Sequence, residues 1–221
     1  HVFFDNGTWI HKYRDGTVTD RHINYSLSLK QYIRDARDYW TFVYQPKSGD
    51  TIIDIGAGKG EDIPFFSHAV GPSGRVIAIE AHPETFRCLA ALCTHNNLKN
   101  VTPIQSAICE KEGDITIDNP ASDIMSSIAN AQGGFKVKGY TLDQIFEMFK
   151  VDTADFIKMN IEGAEKMAIQ GMKDCIKKTR YVCISCHDFL ADERYSESMR
   201  TKKEVVAFLK QNGFQIISRE D

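Results

Sequence analysis

Three groups of residues in this chain have types and spacings that can do chemistry. The first is the run Asp54, Gly56, Ala57, Gly58 and Gly60, an acid followed by alternate glycines. Glycines let a chain turn tightly and let its backbone approach a ligand closely. A helix starting after such a turn adds free N–H groups and a positive dipole end. The second is Glu80, 24 residues beyond Gly56 at the end of "RVIAIE". A carboxylate there can accept hydrogen bonds from both hydroxyls of a ribose. The third is split between "FIKMNIEGAE", with Asn160, Glu162 and Glu165, and the pair His187-Asp188. Neutral imidazole is available near pH 7 to take a proton. Asn160, Glu162 and Asp188, with His187, also make an oxygen-rich set that suits Mg²⁺ or Mn²⁺ better than zinc.

These residues need elements that bring them together. Short apolar runs recur at "TIIDI" (51–55), "RVIAIE" (75–80), "VTPIQ" (101–105), "DFIKM" (155–159), "YVCIS" (181–185) and "FQIIS" (214–218). Between most of them lie helical patterns at 61–70, 83–95, 141–150, after Gly163, and at 200–211. Pro83 suits a first helical turn and Thr141 a cap. "DITID" (114–118) alternates like an additional strand, and 119–134 reads as a loop. Alternating strands and helices with continuous Ile, Val and Phe runs predict a mostly parallel sheet with helices on both faces. Ligands of such sheets bind beyond the carboxyl ends of the strands. Asp54–Gly56, Glu80, Ser106-Ala107, Asn160–Glu162 and His187-Asp188 all fall at those ends.

Before the sheet, turn signals at Asn6-Gly7 and Asp15-Gly16 predict a hairpin of strands near 8–10 and 17–19. A helix is expected from Ser26 to about Val43, with its apolar stripe on Ile33, Ala36, Trp40 and Val43. Residues 1–47 are expected to cover the acceptor side of a compact unit spanning 48–221.

The glycine turn discriminates among ligands. A P-loop requires GxxxxGK[ST], which is absent. A dinucleotide turn requires GxGxxG; here the third glycine comes one residue early, and Glu61 would face a pyrophosphate. The pattern D-x-G-x-G-x-G instead suits S-adenosylmethionine (AdoMet), which has no phosphate and whose ammonium favours an acid at Asp54. Glu80 fits the ribose of the same ligand.

"DTIIDIGAGKGED", "VIAIEAHPETFRCL", "NNLKNV" and "GYTLDQIF…VDTADFIKMNIEGAE" together resemble the FkbM-type methyltransferases over about residues 48–190. The resemblance implies a Rossmann-like class I AdoMet methyltransferase fold and O-methylation of a hydroxyl on a sugar, glycoconjugate or small natural product. It places Asp54, Gly56 and Gly58 at the methionine end of the cofactor, Glu80 on the ribose, and Ala81, Ser106 and Ala107 along the adenine. It places Asn160 near the methionine amine or acceptor and Glu162 toward the acceptor cleft. Where the family usually has Asp, this chain has Asn160. Where it often ends the next strand with Glu-x-His, this chain has Ser185-Cys186-His187-Asp188. His187 is the preferred base, Glu162 a second candidate, and a divalent metal is not favoured. The rival readings are an N-methyltransferase and a non-catalytic AdoMet-binding module. An [ND]PP[YF] motif, frequent in the former, is absent at Asn160–Gly163.

Composition narrows the partners. With 27 basic and 30 acidic residues in 221, the net charge of −3 leaves no electrostatic footprint for nucleic acid. No run of eighteen apolar residues predicts a membrane span. Six cysteines, with one CxxC at Cys183 and Cys186, read as small buried hydrophobes whose alternation sends the pair to opposite faces. That usage fits a reducing, cytoplasmic location.

Overall fold

The computed structural model describes residues 1–117, 134–189, 191 and 200–218. Most of the loop read at 119–134 lies outside them. The chain opens with β1 (Val2–Asp5), β2 (Thr8–Lys12) and β3 (Thr17–Asp20), which form an antiparallel sheet in that order. The expected hairpin is its second half.

Helix α1 (Leu29–Trp40) follows, with the Ser28 hydroxyl accepting the Gln31 N–H as a cap. Its buried stripe is Leu29, Ala36 and Trp40, with Tyr44 beyond the helix. Ile33 and Val43, expected in the stripe, are exposed. The helix ends at Trp40, so Val43 never takes a helical position. Ile33, four residues from Leu29 and three from Ala36, lies on the edge of that stripe and is exposed there.

The central sheet has five strands, β4 (Thr51–Ile55), β5 (Arg75–Glu80), β6 (Val101–Gln105), β10 (Ala154–Met159) and β11 (Thr179–Ile184). All pairings are parallel, in the order β11-β10-β4-β5-β6. Helices α2 (Ile63–Val70) and α3 (Pro83–His95) follow β4 and β5. With α1 they cover one face, where Ile52, Val76, Ala78 and Phe156 meet Ala36, Trp40, Phe66, Leu89 and Leu92. Helices α4 (Leu142–Met148), α5 (Glu165–Gln170) and α6 (Lys202–Gln211) cover the other. There Ile53, Ile55, Ile77, Ile79, Ile157 and Met159 meet Leu142, Ile145, Ala168, Ile169, Val205 and Leu209. Neighbouring residues of each strand thus serve opposite cores, so every sheet position must be apolar or paired.

A small third sheet, β7 (Ala107–Ile108), β9 (Phe135–Tyr140) and β8 (Gly113–Ile117) in that order, sits beyond β6. Strand β8 is the additional strand expected from "DITID". Residues 214–218, expected as a strand, are not paired into a sheet. The Phe214 N–H instead closes on Leu209 O after α6, and Phe214 and Ile216 pack on the core. Cys183 and Cys186 reach opposite cores, as alternation requires, and both are free thiols. No helix among the described residues is long and apolar enough to cross a membrane.

Candidate active site

The strand order reverses between β4 and β10. Their carboxyl ends therefore open a crevice, the place where open α/β sheets bind ligands. A cavity lies there. Gly56, Gly58, Glu80, Ala81, Ser106, Ala107, Asn160 and Glu162, all expected in the site, line it. The sequence reading missed His82, Thr85, Ile108, Ile117 and Ile161, which line it too. No residue of 1–47 lines this cavity. The N-terminal sheet packs on α3, where Thr19 Oγ1 donates to Cys88 O and Arg21 pairs with Glu84.

The glycine turn is built by its own backbone. Gly56 and Ala57 N–H both donate to Ile79 O, at 2.9 and 3.0 Å, which pins the turn to β5. Gly56 has φ +74° and Gly58 φ +59°. A Cβ on Gly56 would stand 2.0 Å from Asn160 O, so the two strand exits touch where only glycine fits. Ala57 does not line the cavity; its methyl packs in the core below α1 and α2.

Asp54, expected at the methionine end of the cofactor, does not line the cavity. Alternation along β4 puts it on the α1–α2 face, where it is fully buried and outside the cavity wall. Its partner is Lys158, also fully buried, whose Nζ lies 2.8 Å from Asp54 Oδ1 and 3.3 Å from Asp62 Oδ2. The directed hydrogen bond of that ammonium goes to Gly56 O, at 2.8 Å. The contact to Asp54 is an ion pair without good hydrogen-bond angles. The Trp40 ring lies 4.9 Å from the same Nζ. Burial pushes the Asp54 carboxyl up and Lys158 opposes it. Burial pulls the Lys158 ammonium down, but Asp54 and Asp62 outweigh it and raise it.

Glu80 stands in the cavity wall. Its Oε2 accepts the Gly58 N–H at 3.0 Å and its Oε1 the His82 N–H at 2.8 Å. Burial pushes this carboxyl up to about 7, against those two donors. His82 caps α3, its Nδ1 facing the Thr85 N–H at 3.4 Å, and its ring meets Phe135 of β9 edge-on. The small sheet reaches the cavity through Ala107, Ile108 and Ile117, with Phe135 packed behind them.

At the β10 exit, Asn160 N–H donates to Ile55 O, and its Oδ1 is a buried acceptor with no hydrogen-bond donor in reach among the described residues. Glu162 takes φ +50°, a left-handed backbone that costs an ordinary residue about 1–2 kcal/mol. Such strain concentrates at functional sites. Here it turns Glu162 into the cavity wall.

His187 is buried at the adjacent β11 exit, with Nδ1 3.0 Å from Glu165 Oε1, and does not itself line the cavity. Asp188 does not join Asn160 and Glu162. Its Oδ2 accepts the N–H groups of Thr201 and Lys202 at the start of α6. Among the described residues, no group of three or more His, Cys, Asp or Glu is gathered to hold a metal ion.

The residues present fit AdoMet. The Gly56–Gly58 turn presents bare backbone to the cavity, Glu80 offers a carboxylate for a diol, and Asn160 Oδ1 is a buried acceptor suited to a donor such as an ammonium. Fold and site together define a class I AdoMet-dependent methyltransferase. More narrowly, the chain belongs to the methyltransferase FkbM family, whose domain matches residues 54–216.

Among known proteins, the hexuronic acid methyltransferase AglP of Haloferax volcanii is 23% identical over 147 residues, 65% of this chain and 58% of that protein. The match thus spans little more than half of that relative. The crystal structure of methyltransferase FkbM from Methylobacillus flagellatus superposes with a TM-score of 0.55 at 18% identity, over 83% of this chain and 44% of that one. Aeropyrum pernix fibrillarin, solved with natively bound S-adenosyl-L-methionine, gives 0.50 at 13% identity, over 99% of this chain and 90% of that one. These two similarities concern the fold.

Proposed function

We propose that this chain transfers a methyl group to a hydroxyl of a sugar or glycoconjugate, with His187 as the base and Glu162 orienting the acceptor. The observation that carries the reading is the β10 exit turn. It sets Asn160 and Glu162 in the cavity wall, while Glu165, three residues on from Glu162, bonds His187. AdoMet, when bound, supplies an electrophilic methyl on a sulfonium that departs as a neutral thioether. Glu80 holds the ribose hydroxyls, the Gly56–Gly58 turn meets the methionine portion with backbone alone, and Asn160 Oδ1 accepts from its ammonium. Ala81, Ser106 and Ala107 flank the adenine. The remaining tasks are alignment of the acceptor and removal of its proton. A sugar hydroxyl is a weak acid, and His187 takes that proton.

The relationship to a hexuronic acid methyltransferase supports a sugar acceptor. A hexuronic acid offers two kinds of oxygen. Its carboxylate is already ionised and needs no base, whereas its hydroxyls do. The buried His187–Glu165 pair favours the hydroxyl.

The test is methyl transfer from labelled AdoMet to a panel of hexuronic acids and neutral hexoses, followed by mild alkali. Ether-linked methyl resists alkali and ester-linked methyl is released. Alkali-stable label on a sugar is the expected result. Alkali-labile label overturns the hydroxyl reading. Labelling of no sugar by a protein that binds S-adenosylhomocysteine overturns the acceptor class.

A further inference from the structure

We infer that Glu165 is the positioning residue for His187, holding the proton on Nδ1 and keeping Nε2 as the proton acceptor; this rests on the proposed role of His187 as base. By its place in the sequence, Glu165 is an acid in the first turn of a helix, where a dipole role suffices. A dipole role does not require burial, because acids at helix starts work from the surface. Glu165 is completely buried. A buried carboxylate needs donors, and this one has two. The Gly163 N–H lies 3.0 Å from Oε2 and 3.2 Å from Oε1. His187 Nδ1 lies 3.0 Å from Oε1.

An ionised carboxylate only accepts, so the shared proton belongs to Nδ1, and the neutral ring then presents Nε2 as its basic nitrogen. The other flank of the ring is set by Phe189, 5.7 Å away between centroids. Strands β10 and β11 run parallel with Met159 beside Ile184, so their exits are neighbours. One carboxylate therefore ties the turn carrying Glu162 to the imidazole, and fixes both groups with respect to the cavity.

The two oxygens of Glu165 do different work, which makes Glu165→Gln a sharp probe. The Gly163 N–H needs an oxygen and is nearer Oε2, so the amide oxygen of glutamine takes that place. The amide NH₂ then faces His187 Nδ1 as a donor. That forces Nδ1 to accept and moves the ring proton to Nε2, where it blocks proton removal.

The experiment is long-range ¹H–¹⁵N correlation on histidine-labelled protein, with the His187 signals assigned by His187→Ala. It is combined with turnover on glucuronic acid as probe acceptor and titration with S-adenosylhomocysteine. The expected result is an Nδ1-protonated His187 in the wild type and an Nε2-protonated ring in Glu165→Gln. Turnover of that variant falls by about 10²-fold or more, with S-adenosylhomocysteine affinity within twofold of wild type. The spectrum stands without any acceptor: a wild-type His187 protonated on Nε2 overturns the inference even if the variant does not fold. A large loss in His187→Ala beside wild-type tautomer and turnover in Glu165→Gln overturns the role of Glu165 alone. Unchanged turnover in His187→Ala overturns both this inference and the base reading beneath it.

Discussion

Lys158 and Asp54 are register partners on β10 and β4, and their charged groups meet 2.8 Å apart in the interior of the protein. The acid that opens the glycine turn is thus used from behind. Asp54 holds Lys158, and Lys158 holds Gly56 O, so the turn is braced from the face opposite the cavity.

Lys158→Met tests this brace. It leaves Asp54 buried without its cation, and breaking a buried pair by removing one partner costs roughly 3–5 kcal/mol. Urea unfolding should report a loss of that order. Adding Asp54→Asn to Lys158→Met should recover a large part of it, because no uncompensated charge is left. A single variant as stable as wild type would show that the pair carries no such role.

The pH dependence of cofactor binding follows from Glu80. Its folded, unliganded carboxyl is raised to about 7, above the ordinary glutamate value, chiefly by burial. The unliganded fold therefore keeps a proton that the unfolded chain gives up, and its stability falls as pH rises through that interval. The ribose diol needs the ionised form as acceptor. Affinity for S-adenosylhomocysteine should then fall as pH drops below about 7, approaching tenfold per unit. Binding near pH 6 should release a proton, measured by calorimetry in buffers of different ionisation enthalpy. Glu80→Gln should bind weakly at every pH. Wild-type affinity that is flat from about pH 8 to 5.5 contradicts the assignment.

Gly56→Ala should abolish cofactor binding. The added Cβ meets the Asn160 carbonyl oxygen at 2.0 Å, and φ +74° strains any residue with a Cβ. Both obstacles are backbone, so no side chain can move aside. Calorimetric titration of the folded variant with S-adenosylhomocysteine is the measurement, and binding within threefold of wild type would show that the two exits can part.

Asp188→Ala separates a cap from a metal ligand. Losing an N-cap acceptor costs about 1 kcal/mol, visible as a small drop in melting temperature. Turnover should persist in this variant, and in wild type treated with EDTA. Abolition of turnover by EDTA, restored by Mg²⁺ or Mn²⁺, would return Asp188 or its neighbours to a metal role.

Much of this architecture is legible in the sequence because the central strands serve two cores at once. "TIIDI" and "RVIAIE" must be continuously apolar, and such runs stand out. The strand ends followed directly, and with them Gly56, Glu80, Asn160 and Glu162. What escaped is what depends on pairing across the sheet. Lys158 sits within an apolar strand, and only the register that sets it beside Asp54 explains how a buried ammonium is tolerated. Its presence in "DFIKM" was nonetheless a signal, since a cation there requires a buried acid. Strand β9 was missed although Phe135 and Val137 alternate with Lys136 and Lys138. Only four residues alternate before Gly139 breaks the pattern, too short a run to stand out beside the helix capped by Thr141. Glu165 was legible as a helix-start acid but not as a partner of His187, because 22 residues and a strand crossover separate them.

The most direct measurement is a crystal structure of the protein with S-adenosylhomocysteine and a hexuronic acid bound. Both ribose hydroxyls are expected on Glu80, and a sugar hydroxyl within about 3 Å of His187 Nε2, facing the thioether sulfur. A sugar carboxylate at that position, with His187 out of reach of any acceptor oxygen, would contradict that expectation.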